Sequence, residues 1–458
     1  MDSERRSPHP TTATPGPVTL AKAVPYWLKL GFLSFGGPAG QIALMHRDLV
    51  DERRWISEKR FLHALNYCMV LPGPEAQQLA TYIGWLMHRS WGGVLAGALF
   101  VLPSLFILIA LSWIYLAFGD TPLVAGLFYG IKPAVVAIVV QAVHRIGGRT
   151  LRNRWMWAIA VAAFVAIFVL KLPFPAIVAG AALVGWLGGR VAPPAFRPGG
   201  GHGAATSTGL PALIDDHTPA PDHARFRWNR LAAVLLAGAL LWCVPMGLLT
   251  AGLGWTHPLT QMGWFFTKAA LLTFGGAYAV LPYVYQGAVV HHGWLTPTQM
   301  IDGLALGETT PGPLIMVVAF VGFVGGYTKA LFGPDALFLA GAVAAALVTW
   351  FTFLPSFIFI LAGGPLVEST HDDLTFTAPL AGITAAVVGV ILNLALFFAW
   401  HTWWPRGAEG GIDLIAVGIS LAAAVALIRY RLNVIHVIAA CALLGLAARL
   451  LIGPGSLP

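Results

Sequence analysis

The chain has 458 residues, of which 57% are hydrophobic and only 10% are charged. A water-soluble domain carries about a quarter charged residues, so this composition excludes a soluble globular protein and indicates a membrane protein. The net charge of +8 comes with arginines grouped near the ends of apolar segments, which is typical of membrane topology rather than of nucleic-acid binding.

A polar tail, 1–17, opens the chain and lacks the apolar run and cleavage site of a signal peptide. About thirteen apolar segments follow, each near the ~20 residues that a helix needs to cross hydrocarbon. We therefore expect an all-α polytopic membrane protein. The segments are 20–46, 61–88, 92–118, 122–145, 155–170, 173–190, 229–253, 258–290, 299–327, 333–363, 376–400, 411–428 and 433–452.

Two parts of the chain resemble each other. LSFGGPAG around Phe35 returns as LTFGGAYA around Phe274, and Pro72-Gly73-Pro74 returns as Pro311-Gly312-Pro313, both at a spacing of 239 positions. LPSLFILIA and GIKPAVVAIVV later return as LPSFIFILA and GITAAVVGVIL. Such a period indicates two homologous repeats. The predicted organisation is a first repeat 18–190, a disordered linker 191–227, an unpaired transmembrane helix 228–254 and a second repeat 255–453.

The linker is rich in glycine and proline and also carries three histidines and three aspartates. Their irregular spacing favours a solvated segment over a metal site, and the three cysteines of the chain show no CxxC spacing. Nucleotide-binding and metalloprotease motifs are also missing. We expect no bound metal, no cofactor and no enzyme activity. The linker residues concerned are His202, Asp215, Asp216, His217, Asp222 and His223.

The unpaired segment 228–254 predicts opposite orientations for the two repeats, because one extra crossing reverses the second copy. Charge agrees with this, since the loop 46–60 holds five lysines and arginines, whereas its counterpart 285–299 holds none. Basic loops stay in the cytoplasm. We expect an inner-membrane protein with a cytoplasmic N-terminus and a periplasmic C-terminus.

The segments with the FGG and PGP sequences are expected to bend back as re-entrant half-helices. A simple crossing of 20–46 would put the Arg5-Arg6 tail and the arginine-rich loop 46–60 on opposite sides of the membrane. A bend at the glycine pair keeps both in the cytoplasm. Four of the thirteen segments then do not fully cross.

The broken helices predict an anion site between the repeats. A proline-glycine-proline run cannot continue a helix, and the half-helix after it presents unpaired N–H groups and a partial positive charge. The competing interpretation is kinks and close-packing glycines, which matched pairs of breaks make less favourable. The residues expected to line the site are Phe35, Gly36, Gly37, Asn66, Pro72, Gly73, Pro74, Gln77, Gln78, Phe274, Gly275, Gly276, Thr309, Thr310, Pro311, Gly312 and Pro313.

Four ionisable residues accompany these breaks. Lys29 and Lys268 occupy matched positions, where each would either attract an anion or extend to the headgroups. Glu75 and Glu308 are candidate proton carriers, since a carboxylate inside a membrane is costly and usually functional. Glu75 would alternatively stabilise the N-terminus of a half-helix.

The FGGP motif, the W-[IL]-[ST] motif after the first loop of each repeat, and the paired LPGPE and TTPGP motifs are similar to those of the long-chain, two-domain chromate ion transporters. The resemblance covers nearly the whole chain apart from the tail and the linker. It implies export of chromate from the cytoplasm, chromate resistance, and two homologous halves of opposite orientation, with sulfate as the expected competitor.

Two alternatives stay open beside this resemblance. The first is a transporter of sulfate or another oxyanion, and the second, more remote, is a membrane-bound reductase, which would need a flavin, haem or metal. The expected partners are the anion and the lipid bilayer. A homodimer is a further arrangement that the sequence leaves open.

Overall fold

The computed structural model describes residues 15–35, 37–119, 121–196, 211–216, 218, 221–369 and 377–452. This part of the chain is helical, and its only β-type contact is an isolated bridge between Ile56 and Ile214. Seven of its helices are long and apolar enough to cross a membrane. The prediction of a helical, multi-pass membrane protein is therefore confirmed.

The helices of the first repeat are α1 (Leu20–Leu33), α2 (Gly37–His46), α3 (Glu58–Val70), α4 (Glu75–Phe118), α5 (Pro122–Thr150), α6 (Arg154–Phe168), α7 (Phe174–Val191) and α8 (Pro193–Phe196). The helix α9 (Trp228–Leu253) follows. The remaining helices are α10 (Pro258–Leu271), α11 (Ala277–Tyr285), α12 (Pro297–Thr309), α13 (Val317–Thr328), α14 (Leu337–Ser369), α15 (Thr377–Trp403), α16 (Leu414–Ile428) and α17 (Val434–Ile452).

The two repeats fold alike in their first parts. Both ends of α12 are those of α3 shifted by 239 positions, and the same shift relates two π-helical turns, Arg47–Glu52 and Gln286–His291. The N-cap side chains also match, since Ser57 caps α3 and Thr296 caps α12. Sequence similarity at this spacing thus corresponds to similar local structure.

The segments with FGG breaks fold back on themselves. In the first repeat the Tyr26 ring of α1 lies 5.1 Å from the Trp55 ring, which follows α2 and its π-helical turn. The matched rings of the second repeat, Phe265 and Trp294, lie 5.6 Å apart. The two arms of each segment therefore run antiparallel, with the FGG break at the tip.

The segments with PGP breaks form hairpins as well. Arg60, in the first turn of α3, and Tyr82 of α4 both contact the Glu368 carboxylate, at 3.5 and 2.5 Å. In the second repeat Thr328 at the end of α13 donates to the Trp294 carbonyl just before α12, at 3.5 Å. In each repeat, one of the residues brought together lies well before the PGP run and the other lies well after it. The PGP run is therefore the tip of each hairpin.

The chain of α4 reverses direction again at His88 and Arg89, whose backbone angles are not helical. The parts before and after this reversal are in contact at Gly84 and Gly92. A first half-length arm, 75–87, is therefore followed by a longer arm, 90–118. Only the second arm corresponds to the predicted segment 92–118.

The last two long helices of each repeat pack against the other repeat. The first-repeat helix α5 packs on α16 and α17, whereas α15 packs on α6 and α7. Close contacts occur at matched glycines: a Cβ on Gly130 would lie 1.9 Å from the Cys441 carbonyl oxygen, and one on Gly382 would lie 2.4 Å from that of Ala181. Small residues permit such close approach, which drives helix association in lipid.

The helix α9 lies at the periphery, against α10 and α14. Its Trp242 donates to the Thr267 hydroxyl at 3.0 Å, and Trp350 of α14 donates to the Leu241 carbonyl at 3.2 Å. Only 11% of its most apolar stretch is buried within the protein. This exposure fits a helix surrounded mainly by lipid.

The segment 191–227, predicted as a disordered linker, is described in part, and that part packs against the first repeat. The buried Ile214 pairs with Ile56, the Ser57 hydroxyl donates to Asp216 at 2.5 Å, and His223 contacts the Trp85 carbonyl at 2.9 Å. An apolar anchor and several polar contacts hold this stretch, which its glycine-rich composition did not reveal.

Candidate substrate site at the broken helices

The four helix breaks meet between the repeats through reciprocal backbone contacts. The Gly73 N–H of the first PGP run donates to the Thr273 carbonyl beside the second FGG sequence, at 2.7 Å. The Gly312 N–H of the second PGP run donates to the Ser34 carbonyl beside the first FGG sequence, at 2.8 Å. Each repeat therefore holds the corner of the other, and we call this region the central junction.

Both corner glycines are required by conformation and by space. Gly73 has φ +129° and Gly312 has φ +107°, values that residues with a Cβ rarely adopt. A Cβ on Gly73 would lie 2.4 Å from the Ser356 hydroxyl, and one on Gly312 would lie 2.7 Å from the Ser104 side chain. These serines belong to the matched LPS motifs, which the sequence showed as a repeat but not as part of a site.

Three glutamines are fully buried around the junction: Gln41, Gln77 and Gln78. The Gln41 amide donates to the Gly312 carbonyl at 2.6 Å and the Gln78 amide to the Pro72 carbonyl at 2.8 Å. The side-chain oxygen of each glutamine has no hydrogen-bond partner within the described ranges. The junction thus keeps three acceptor oxygens that its own structure does not use, whereas the glutamine amide groups brace the corners. Gln41 was missed, because its counterpart is Val280 and the repeat gave no signal there.

The two glutamates differ in setting. Glu308, at the end of α12, is 7% exposed and accepts a hydrogen bond from Tyr278. Arg145 of α5 acts on the same carboxylate electrostatically. Glu75 begins α4 and is half-buried, with no ion pair or side-chain hydrogen bond in the described part of the chain. Glu308 is therefore held in place, whereas Glu75 is not.

Most other predicted residues lie at the junction. Phe35, Gly37, Phe274, Gly275 and Gly276 are half-buried. Gly36 lies outside the described residues. The remaining corner residues, Pro72, Pro74, Thr309, Thr310, Pro311 and Pro313, are buried or half-buried.

Three predicted residues are exposed rather than buried. Lys29, Lys268 and Asn66 are exposed, and Lys268 lies over the Trp264 ring at 5.7 Å. Lys29 falls on the exposed face of α1 because the opposite face buries Tyr26 and Trp27. Both lysines match the alternative of side chains that extend along apolar surface to the headgroups.

Two half-buried basic residues of α5 face buried carboxylates instead. Lys132 Nζ lies 3.8 Å from Asp302 Oδ2, and Arg145 faces Glu308 as described above. Sequence reasoning did not identify either residue as the partner of a buried carboxylate. A signal existed for Lys132, because GIKPAVV of the first repeat aligns with GITAAVV of the second, so that a charged residue replaces Thr384 inside an apolar segment.

A metal site is not assembled by the residues within the described ranges, where no three His, Cys, Asp or Glu side chains cluster. Of the linker histidines, His223 contacts the Trp85 carbonyl, and His202 and His217 lie outside the described residues.

Helical hairpins whose broken tips meet between two repeats, at the ends of half-helices, are typical of multi-pass membrane proteins of the transporter class. The chain belongs to the chromate transporter family, whose family model matches residues 21–186 and 260–446. The family resemblance predicted from the motifs is confirmed.

Relatives with curated names agree. The chain is 36% identical over 445 residues to a chromate transport protein of Pseudomonas aeruginosa, covering 95% of this chain and 94% of the relative. It is 29% identical over 434 residues to a chromate transport protein of Cupriavidus metallidurans, covering 94% and 93%. An uncharacterized transporter of Bacillus subtilis, YwrB, is 24% identical over 142 residues, covering 31% of this chain and 72% of the relative. No solved structure matches the chain.

Proposed function

We propose that the chain is a secondary active transporter that exports chromate from the cytoplasm and so confers chromate resistance. The central junction supports this most directly. Reciprocal contacts place Gly73 beside Thr273 and Gly312 beside Ser34, so that four helix breaks share one region. The identity of the transported anion, chromate, is inferred from the names of the relatives.

The junction suits an oxyanion for electrostatic reasons. The helices α2, α4 and α11, and the turn that precedes α13, all begin at the breaks. A helix N-terminus carries a partial positive charge and N–H groups without intrahelical partners. Arg145, which acts on the Glu308 carboxylate from α5, adds positive charge. One copy of the chain supplies all four breaks, so the proposed site needs no second subunit.

The proposed orientation follows the basic loops. The first repeat's loop 46–60 and the cluster Arg149, Arg152 and Arg154 are cytoplasmic, and the matched loops of the second repeat lie outside. The N-terminus is then cytoplasmic, the C-terminus is periplasmic and the two repeats are inverted. Repeats inverted about a shared central site are a common design for alternating access.

Membrane voltage suffices as the driving force. Moving one elementary charge through 100 mV is worth about 2.3 kcal/mol, so a dianion that leaves a negative interior gains about 4.6 kcal/mol. This sustains a concentration gradient of roughly a thousandfold at about 1.4 kcal/mol per decade. A pH gradient would add to it through Glu308 or Glu75, the proposed proton carriers.

Uptake of chromate by everted membrane vesicles tests the proposal, because export from cells becomes uptake into such vesicles. We expect saturable uptake driven by an interior-positive voltage. Vesicles from cells with the empty vector are the control. Uptake no greater than in the control would overturn the proposed function. An uptake rate that does not change with the imposed voltage would overturn the proposed driving force.

Sulfate transport is the second candidate, since sulfate shares the shape and charge of chromate. Competition separates the two: sulfate at equal concentration should reduce chromate uptake only partly. Complete loss of chromate uptake at low sulfate would make sulfate the main substrate.

Glu75→Gln and Glu308→Gln should keep voltage-driven uptake and lose the response to an imposed pH gradient.

A further inference from the structure

Lys132 and Asp302 form an ion pair between the repeats that the proposed function does not yet use. Lys132 Nζ of α5 lies 3.8 Å from Asp302 Oδ2 of α12, and Tyr115 of α4 donates to the same oxygen at 2.8 Å. Asp302 is 2% exposed, whereas 27% of the Lys132 side chain is exposed. The carboxylate is therefore enclosed by protein, and the ammonium keeps an accessible side.

The pair is incompletely satisfied. Asp302 Oδ1 is buried and has no hydrogen-bond partner among the described residues. The distance of 3.8 Å from Lys132 is longer than a hydrogen bond, so the three donors of the ammonium are not committed to this carboxylate. A structural ion pair would normally use both groups fully, because burying charge is costly otherwise.

The pair lies near the central junction. Asp302 and Thr309 are seven residues apart on α12, which places them on one face and about 10 Å apart along the helix axis. Thr309 adjoins the second PGP corner. In α15 the counterpart of Lys132 is Thr384, whose hydroxyl would lie 3.7 Å from a Cβ on Gly275 in the FGG break. This helix position therefore borders the junction in the second repeat.

We propose that Lys132 is an anion-binding residue of the transport path, and that Asp302, itself held by the Tyr115 hydroxyl, holds its ammonium when no anion is bound. The proposal rests on the proposed function and extends it to a second cation-lined position for a divalent oxyanion. The anion and the Asp302 carboxylate compete for one ammonium. Protonation of Asp302 removes the competitor, so proton binding and anion binding favour each other.

The groups that act on Asp302 are few. Lys132 acts from α5 and Tyr115 acts from α4. The other elements packed against α12 are α13, α15, α17 and the turn Leu314–Met316, and in the described part they bring no further charged side chain to this carboxylate. A pH effect that disappears with Asp302 is therefore assigned to this residue.

Initial rates of chromate uptake into everted vesicles test the proposal, measured against chromate concentration and from about pH 5 to about pH 8. Lys132→Met should raise the KM for chromate by about tenfold or more, the effect of losing a charged hydrogen bond, and Lys132→Arg should restore it substantially. Lys268→Met, which neutralises an exposed lysine, is the matched control and should leave KM unchanged. Asp302→Asn should retain uptake and flatten the pH dependence of KM.

The double variant Lys132→Met with Asp302→Asn distinguishes binding from stability. If the pair served only the fold, removing both charges would restore the wild-type KM, because no uncompensated charge remains. We expect normal amounts of folded protein in the membrane and a KM that stays high. A wild-type KM in the double variant or in Lys132→Met, or an unchanged pH dependence in Asp302→Asn, would overturn the role of the pair. An absence of uptake in the wild type would instead overturn the proposed function.

Discussion

Replacing Gly73 by alanine should disrupt the central junction more than its single added methyl suggests. The backbone at Gly73 has φ +129°, and the new Cβ would lie 2.4 Å from the Ser356 hydroxyl and 2.6 Å from the Gln78 amide nitrogen. Backbone strain of this kind costs about 1–3 kcal/mol. Crowding in a packed interior costs about 1–3 kcal/mol more. A loss of about 3 kcal/mol corresponds to roughly a hundredfold fewer molecules with an intact corner.

The assay combines thermal unfolding of the purified protein in detergent with chromate uptake by vesicles. Gly73→Ala should lower the Tm and the uptake rate, and Gly312→Ala should do the same through its contact with Ser104. Gly247→Ala is the matched control, because a Cβ on this glycine of α9 meets nothing within 4 Å. Adding Ser356→Gly to Gly73→Ala should restore part of the loss, since it removes the crowding but not the strain. Wild-type Tm and uptake in Gly73→Ala would refute the reasoning.

Three further predictions concern single contacts. Tyr278→Phe removes the donor to the buried Glu308 carboxylate, which should cost about 1–3 kcal/mol of stability. A thermal scan of this variant with and without Glu308→Gln would show whether neutralising the acid restores the Tm. Burial lowers the pKa of His223 below its ordinary value, so docking of the linker is favoured by the neutral ring and weakens as the pH falls. Limited proteolysis of the linker should therefore accelerate below about pH 6. Gly130→Leu should abolish the folded protein in size-exclusion chromatography, because its Cβ would lie 1.9 Å from a carbonyl oxygen, whereas Gly148→Leu should not.

The positions of the helix breaks could be predicted from the sequence because they depend on residue type alone. Glycine and proline interrupt helices wherever they stand, so LSFGGPAG and LTFGGAYA located the hairpin tips without knowledge of the packing. The matched spacing also indicated which four breaks belong together. The contact of Gly73 with Thr273, and of Gly312 with Ser34, follows the same correspondence.

The placement of charged side chains was harder to predict. In an apolar helix that is buried on one side by protein and on the other by lipid, hydrophobicity does not distinguish the two faces. Lys29 and Lys268 were therefore assigned to the site although they are exposed, and Lys132 was overlooked although it pairs with the buried Asp302. The exchange of helices between repeats, in which α5 packs on α16 and α17, is a long-range arrangement that no local pattern encodes.

The docked stretch of the linker shows a third limit. Glycine and proline over 191–227 predict disorder, yet Ile214 is 7% exposed and pairs with Ile56. One apolar residue in a polar segment is a weak signal, because a short strand contact depends on a partner elsewhere in the chain.

Equilibrium binding of chromate to the purified protein tests the central claim most directly, since it measures the anion site apart from any driving force. The wild type should bind chromate saturably and in competition with sulfate. The variant Gln41→Met with Gln78→Met should lose this binding, because these amides brace the two PGP corners through the Gly312 and Pro72 carbonyls. Lys29→Met with Lys268→Met should keep it. Unaltered binding in the glutamine variant, together with loss of binding in the lysine variant, would contradict a site at the meeting point of the four broken helices.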